Sequence, residues 1–241
     1  FAEKYSKLTP YNQNIYKSFS EEIVKSRKFE TWNITKSGLF DYIKNKKPNN
    51  YTELVSCVYM KYAKENNKIP RLIGDKNNYY IEYIDKLKTY FVGSKIVFLI
   101  RDGRDVACSY KKLKKTKINS IYKPELSGDI KVLANEWKNN NLNILKYYDK
   151  SSILIKYEDL LEFPDKELRK ICNFLNIEYS NVMLDYYKFN DEPKEFLQWK
   201  MKTTEKPDIS NIGKYKNELT TEEIKKFENV AGDLLAYFNY I

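Results

Sequence analysis

Apolar and polar positions along the 241-residue chain follow two rhythms. From residue 1 to about 70, apolar residues recur every three or four places. Phe19, Ile23 and Val24 share a face between Ser18 and Ser26. Ser37-Gly38-Leu39-Phe40-Asp41-Tyr42-Ile43 opens a second such stretch, and Leu54, Val55, Val58, Tyr59 and Tyr62 align between Tyr51 and Glu65. That period predicts amphipathic helices. Short apolar runs bounded by turn residues predict strands at Ile69–Ile73, at Ile96-Val97-Phe98-Leu99-Ile100 and at Ile153-Leu154-Ile155, the last two buried. The helical period returns in Ile130, Leu133, Ala134, Trp137, Asn141, Ile144 and Leu145, again over Pro164–Leu175, and after the capping-box pattern Thr220-x-x-Glu223. Strands alternating with helices predict an α/β protein: a parallel sheet of about four or five strands flanked by helices.

The run Ile96–Ile100 leads into a charged turn, Arg101-Asp102-Gly103-Arg104-Asp105, and then into Val106-Ala107-Cys108-Ser109-Tyr110. Either Asp102 or Asp105 suits the N-cap of a helix beginning here. Strand, tight turn and helix start make an anion site, because free backbone N–H groups and the helix dipole converge on one point. Arg101 falls at the strand tip, and Ser109, eight residues on, can face the same point. A forked guanidinium and a hydroxyl suit a terminal phosphate. Taken alone, the turn is equally an ordinary junction with solvated charges.

A formal charge of +10 favours an anionic ligand, an acidic substrate or nucleic acid, although most of the lysines are scattered over a solvated surface. With 42% hydrophobic and 32% charged residues the chain reads as globular. No apolar stretch approaches the roughly 20 residues needed to span a bilayer. Cys57, Cys108 and Cys172 are far apart in apolar surroundings and read as reduced core residues. The sequence has no histidine, which excludes a Ser-His-Asp triad, a His-ligated zinc and a His general base within this chain.

Four segments occur in an order that resembles sulfotransferases using 3′-phosphoadenosine 5′-phosphosulfate, in their bacterial and tyrosylprotein-sulfotransferase-like branch. They are Gly74-Asp75-Lys76, the Arg101…Ser109 turn, Lys156-Tyr157-Glu158-Asp159-Leu160, and Ile212-Gly213-Lys214-Tyr215. The resemblance covers roughly residues 65 to 241. It implies a P-loop-kinase-like sulfotransferase fold and transfer of a sulfuryl group to an acceptor hydroxyl or amine, leaving adenosine 3′,5′-bisphosphate. On this reading Lys76 is the catalytic residue, stabilising the charge that builds as the sulfuryl group leaves. Arg101 and Ser109 hold the 3′-phosphate, Tyr157 contacts the base, and Ser210 and Lys214 close over the nucleotide. No metal is implied. The acceptor is a saccharide, a tyrosine or a small metabolite.

The family's N-terminal strand and its phosphosulfate-binding loop, of the type P-R-S-G-T-T-L, have no counterpart among the seven isolated glycines. Residues 1–241 are therefore expected to form a single sulfotransferase-like domain without that segment, with a general base that cannot be named from these residues. The compartment implied is the cytoplasm of a bacterium, or the Golgi lumen if the source is eukaryotic. Rival readings are a phosphoryl transferase, which needs a Gly-Lys-Ser/Thr loop and magnesium, a non-catalytic scaffold of the same fold, and a basic nucleic-acid-binding module. Against the last, no aromatic-basic RNA motif is present, so no specific nucleic-acid partner is expected.

Overall fold

The structure, a computed structural model, describes residues 1–118, 123–189 and 201–241. It divides into two units, Phe1–Gly93 and Ser94–Ile241.

The first unit is helical: α1 (Ala2–Tyr5), α2 (Gln13–Ile23), α3 (Lys36–Lys46), α4 (Tyr51–Glu65) and α5 (Ile84–Tyr90). Side-chain caps set the starts of three of these helices. Asn12 accepts from the Asn14 and Ile15 N–H groups, Thr35 from Gly38 and Asn50 from Glu53. The apolar faces meet in a core of Tyr5, Phe19, Leu39, Ile43 and Leu54, all fully buried. Its polar tips are satisfied: the Tyr16 hydroxyl donates to the Pro48 carbonyl at 3.0 Å and Ser20 Oγ to the Tyr16 carbonyl at 2.8 Å. The strand expected at Ile69–Ile73 does not form. Ile69 is 98% exposed and Leu72 55%, and no described residue pairs with the run. A strand exists through its neighbour's hydrogen-bond ladder, so an apolar run without one stays irregular.

The second unit is α/β. Strands β1 (Ile96–Ile100) and β2 (Ser152–Lys156) run parallel, with Ile96 opposite Ser152 and Ile100 opposite Lys156. They are the sheet among the described residues, two strands where four or five were expected. β1 was expected to be buried on both faces, yet it alternates: Phe98 and Ile100 are buried while Val97 and Leu99 are exposed. The opening on that face is confined to β1: Ile155, the partner of Leu99 on β2, is fully buried. Helices α6 (Gly103–Lys115) and α7 (Ile130–Tyr147) cross from β1 to β2, and α8 (Tyr157–Glu162) and α9 (Pro164–Leu175) follow β2. The chain ends with α10 (Tyr215–Glu218) and α11 (Thr221–Tyr237), the latter started by the expected capping box of Thr220 and Glu223.

Helix α11 lies along α7, and both pack on the start of α6. Trp137 on α7 contacts Phe227 and Phe238, with ring centroids 6.1 and 6.3 Å away. This pair of rings explains Gly103. A Cβ there would come within 2.5 Å of Phe227 Cζ and 2.6 Å of Trp137 Cδ2, so the first residue of α6 has to lack a side chain.

Candidate functional site

The tip of β1 is fixed before any ligand is considered. Trp137 Nε1 donates to the Arg101 carbonyl at 2.9 Å, so the expected core tryptophan also anchors the turn. The Asp102 N–H donates to Glu158 Oε1 at 2.9 Å, tying the turn after β1 to the first turn of α8 beyond β2. Of the two candidate caps, Asp102 caps α6, accepting from the Arg104 N–H at 2.9 Å. Its carboxylate also takes the Arg104 guanidinium through Nε at 3.1 Å and Nη2 at 2.7 Å. Arg104 donates further to Glu228 at 2.6 Å and to the Tyr240 carbonyl at 2.9 Å. Only 2% exposed and stacked on Tyr215, it is a structural strut.

Arg101 is different. Its Nη2 donates to the Asn211 carbonyl at 2.6 Å, and its guanidinium lies over the Tyr157 ring, 4.5 Å from the centroid. Its Nε is buried and has no hydrogen-bond partner. A buried N–H left unmade costs on the order of 1–3 kcal/mol, more on a charged group, and such a site accepts an anionic oxygen readily. Ser109 Oγ accepts from Lys214 Nζ at 2.9 Å and donates to the Asp105 carbonyl at 3.1 Å. Arg101, Ser109, Tyr157 and Lys214 are thus joined through direct contacts among themselves and with Asp105 and Asn211. Burial raises the Tyr157 pKa, which keeps its hydroxyl protonated and a donor at neutral pH. Burial likewise pushes the neighbouring Cys108 thiol up to about 12, so it stays unionised.

Ser210 is one residue from the Asn211 carbonyl that Arg101 holds, but it is exposed, and its own hydroxyl donates to Asp208 at 2.6 Å. Lys76 belongs to the first unit. It sits exposed in the loop after Pro70, where Asp75 braces the turn by accepting from the Tyr59 hydroxyl at 2.6 Å and from Tyr80. Among the described residues no group of three or more His, Cys, Asp or Glu is placed to hold a metal ion. No helix there is long and apolar enough to cross a membrane.

For two carboxylates the sequence suggested a role, backbone pairing for Glu158 and a helix cap for Asp105, but not the partners. Asp105 accepts from the Gly213 and Tyr215 N–H groups, and Glu158 bridges the Asp102 N–H and the Tyr240 hydroxyl, each at 2.8–2.9 Å. Their partners lie scores of residues away in the chain, and no local spacing announces such a bond.

A model of the sulfotransferase family matches residues 2–181. A putative protein-tyrosine sulfotransferase of Caenorhabditis briggsae is 27% identical over 129 residues, 52% of this chain and 44% of that protein, so the match spans less than half of the relative's length. Among solved structures, the sulfotransferase domain of the Synechococcus PCC 7002 olefin synthase superposes with a TM-score of 0.57 at 20% identity, over 89% of this chain and 79% of the other. The sulfotransferase domain from the curacin biosynthetic pathway gives 0.50 at 18% identity, over 95% and 81%. These likenesses establish the fold, and the family match, running over well more than half of the residues, establishes that the chain belongs to the sulfotransferase family.

Proposed function

We propose that this chain binds 3′-phosphoadenosine 5′-phosphosulfate and catalyses sulfuryl transfer to an acceptor hydroxyl or amine. The observation that carries the reading is the Arg101 guanidinium at the tip of β1, its Nε buried and unpartnered, with Ser109 and Lys214 joined in the same cluster. A terminal phosphate fits that donor set: the guanidinium supplies two or more N–H groups, the ammonium supplies charge, and the hydroxyl turns to donate. The Tyr157 ring under Arg101 offers an apolar face next to the phosphate, suited to the adenine. Ser210 contributes a hydroxyl from the same segment as Lys214 once Asp208 gives up its hydrogen bond.

The donor molecule supplies an activated sulfuryl group. The chain's residues orient it and stabilise the charge on the departing phosphate oxygen. Lys76 is assigned the second task, because an ammonium carried next to the Asp75-braced turn gains most as charge accumulates on the leaving side. No metal is required where lysine and arginine carry this charge. Among acceptors, a tyrosyl hydroxyl ranks ahead of a saccharide or small metabolite, since the Caenorhabditis briggsae relative is described as a putative protein-tyrosine sulfotransferase. The family match crosses the division at Gly93, which supports the two units working as one domain. Three buried free cysteines support a reducing compartment such as the cytoplasm.

The test is calorimetric binding of adenosine 3′,5′-bisphosphate in the absence of magnesium. Micromolar affinity that falls at least about 10-fold in Arg101→Ala, the loss expected for a charge-assisted hydrogen bond, supports the site. No binding by the folded chain overturns it.

A further inference from the structure

Asp105 is out of place by ordinary rules. It is completely buried, and it lies beside the cluster assigned to an incoming phosphate, which its charge repels. A buried carboxylate persists only when fixed partners compensate it. Those partners are specific. Oδ2 accepts the Gly213 N–H at 2.8 Å and Oδ1 the Tyr215 N–H at 2.9 Å. Arg101 Nη2 stands 3.9 Å from Oδ2, and the backbone carbonyl of Asp105 accepts from Ser109 Oγ. The position of Asp105 in the first turn of α6 adds the favourable end of the helix dipole.

The two N–H groups it holds are those immediately before and after Lys214. Gly213, at φ +69°, supplies the left-handed backbone that turns both of them toward one carboxylate. With the main chain pinned on both sides, the direction in which the Lys214 side chain leaves the backbone is set, and its ammonium reaches Ser109 Oγ at 2.9 Å with Glu218 at 3.9 Å. We infer that Asp105 is a positioning residue: it ties the 208–215 segment to α6 and thereby aims Lys214, together with Arg101 and Ser109, at a single phosphate group of the bound nucleotide. The inference rests on the reading of Arg101, Ser109 and Lys214 as the 3′-phosphate site. It adds a residue that does not touch the ligand and whose charge, by itself, would weaken binding.

The experiment compares adenosine 3′,5′-bisphosphate with adenosine 5′-monophosphate, which lacks the 3′-phosphate, on the full chain, on Asp105→Asn, on Lys214→Met and on the double variant. The expected result is that Asp105→Asn weakens the bisphosphate about 10-fold, the monophosphate less than about 2-fold, and the bisphosphate no further once Lys214 is gone. A merely structural carboxylate would lower thermal stability and affect both nucleotides alike, which overturns the inference. Unchanged or tighter bisphosphate binding, or losses that multiply in the double variant, overturns it as well. If Asp105→Asn does not fold, Gly213→Ala takes its place. A Cβ at Gly213 meets nothing within 4 Å, so this change acts through the backbone turn alone and should show the same selective loss. Hydrogen exchange at the Gly213 and Tyr215 amides, measured without nucleotide, separates this inference from the proposed function. Faster exchange in Asp105→Asn supports the tether even if the parent chain binds neither nucleotide, a result that defeats the proposed cofactor. Unchanged exchange defeats the tether.

Discussion

Gly103 and Glu158 show how single residues hold the end of β1. Trp137 and Phe227 fill the space where a Gly103 side chain would stand. Gly103→Ala should therefore destabilise the chain by about 1–3 kcal/mol, the usual cost of overpacking, read as a lower midpoint in thermal or urea unfolding. Glu158 carries a different tension. Its oxygens accept from the Asp102 N–H and the Tyr240 hydroxyl, but burial raises its pKa above the ordinary carboxylate value. The folded state therefore holds this proton more tightly than the unfolded state does. The ionised group costs stability above its folded pKa, and that cost shrinks as pH falls through the raised value toward the unfolded one. Glu158→Gln removes the buried charge and keeps an acceptor. Its stability relative to the parent should be most favourable near pH 7 and should lose that advantage toward pH 4, as thermal melts across this range would show. A constant difference would mean that the hydrogen bonds, and not the charge, dominate.

Elements formed where periodicity and capping agreed. α4 runs from Tyr51 to Glu65, the stretch whose apolar face was evident in the sequence, because Asn50 caps it and Leu54, Cys57 and Val58 reach the core. α11 begins at the expected capping box, and Thr220→Ala should cost about 1 kcal/mol, measurable by denaturant unfolding. Strands were less secure. β1 and β2 formed because they pair with each other, while Ile69–Ile73, interrupted by Pro70 and Arg71, has no described partner and is coil. A helix closes its hydrogen bonds within one segment, whereas a strand depends on a distant one. Short apolar runs are accordingly weaker evidence than helical periodicity. The same holds for the site: Arg101, at the tip of a paired strand, could be placed from its neighbours, whereas Lys214 is brought to Ser109 by a loop with little pattern of its own.

Across the whole molecule, the charge of +10 is spread widely, and much of it is engaged in surface pairs such as Lys86 with Glu3 and Lys138 with Asp233. The cations that the structure gathers in the proposed phosphate cluster are few, Arg101 and Lys214. Raising salt from about 50 to 200 mM should thus weaken adenosine 3′,5′-bisphosphate binding only several-fold, since a handful of charges is screened. A nucleic-acid binder making six to ten phosphate contacts would lose roughly 10³–10⁵ in affinity over the same range. A salt titration with the nucleotide and with generic RNA distinguishes the two, and steep RNA binding would favour the basic-module reading.

The sequence by itself determined what is local. Helix positions follow from apolar period and caps, the β1 strand, turn and α6 follow from Ile96 to Ser109, and the order of four short segments pointed to the family that the comparisons then established. Tertiary structure alone decided what depends on residues far apart in the chain. It left Ile69–Ile73 outside the sheet, buried Arg104 as a strut between Asp102, Glu228 and Tyr240, and left Arg101 with an unpartnered Nε. It also set the Asp105 carboxylate on the N–H groups that flank Lys214. The physical reason is the same in each case: capping and periodicity are satisfied within a few residues, but a buried charge or a strand edge must find its partner wherever the fold brings one.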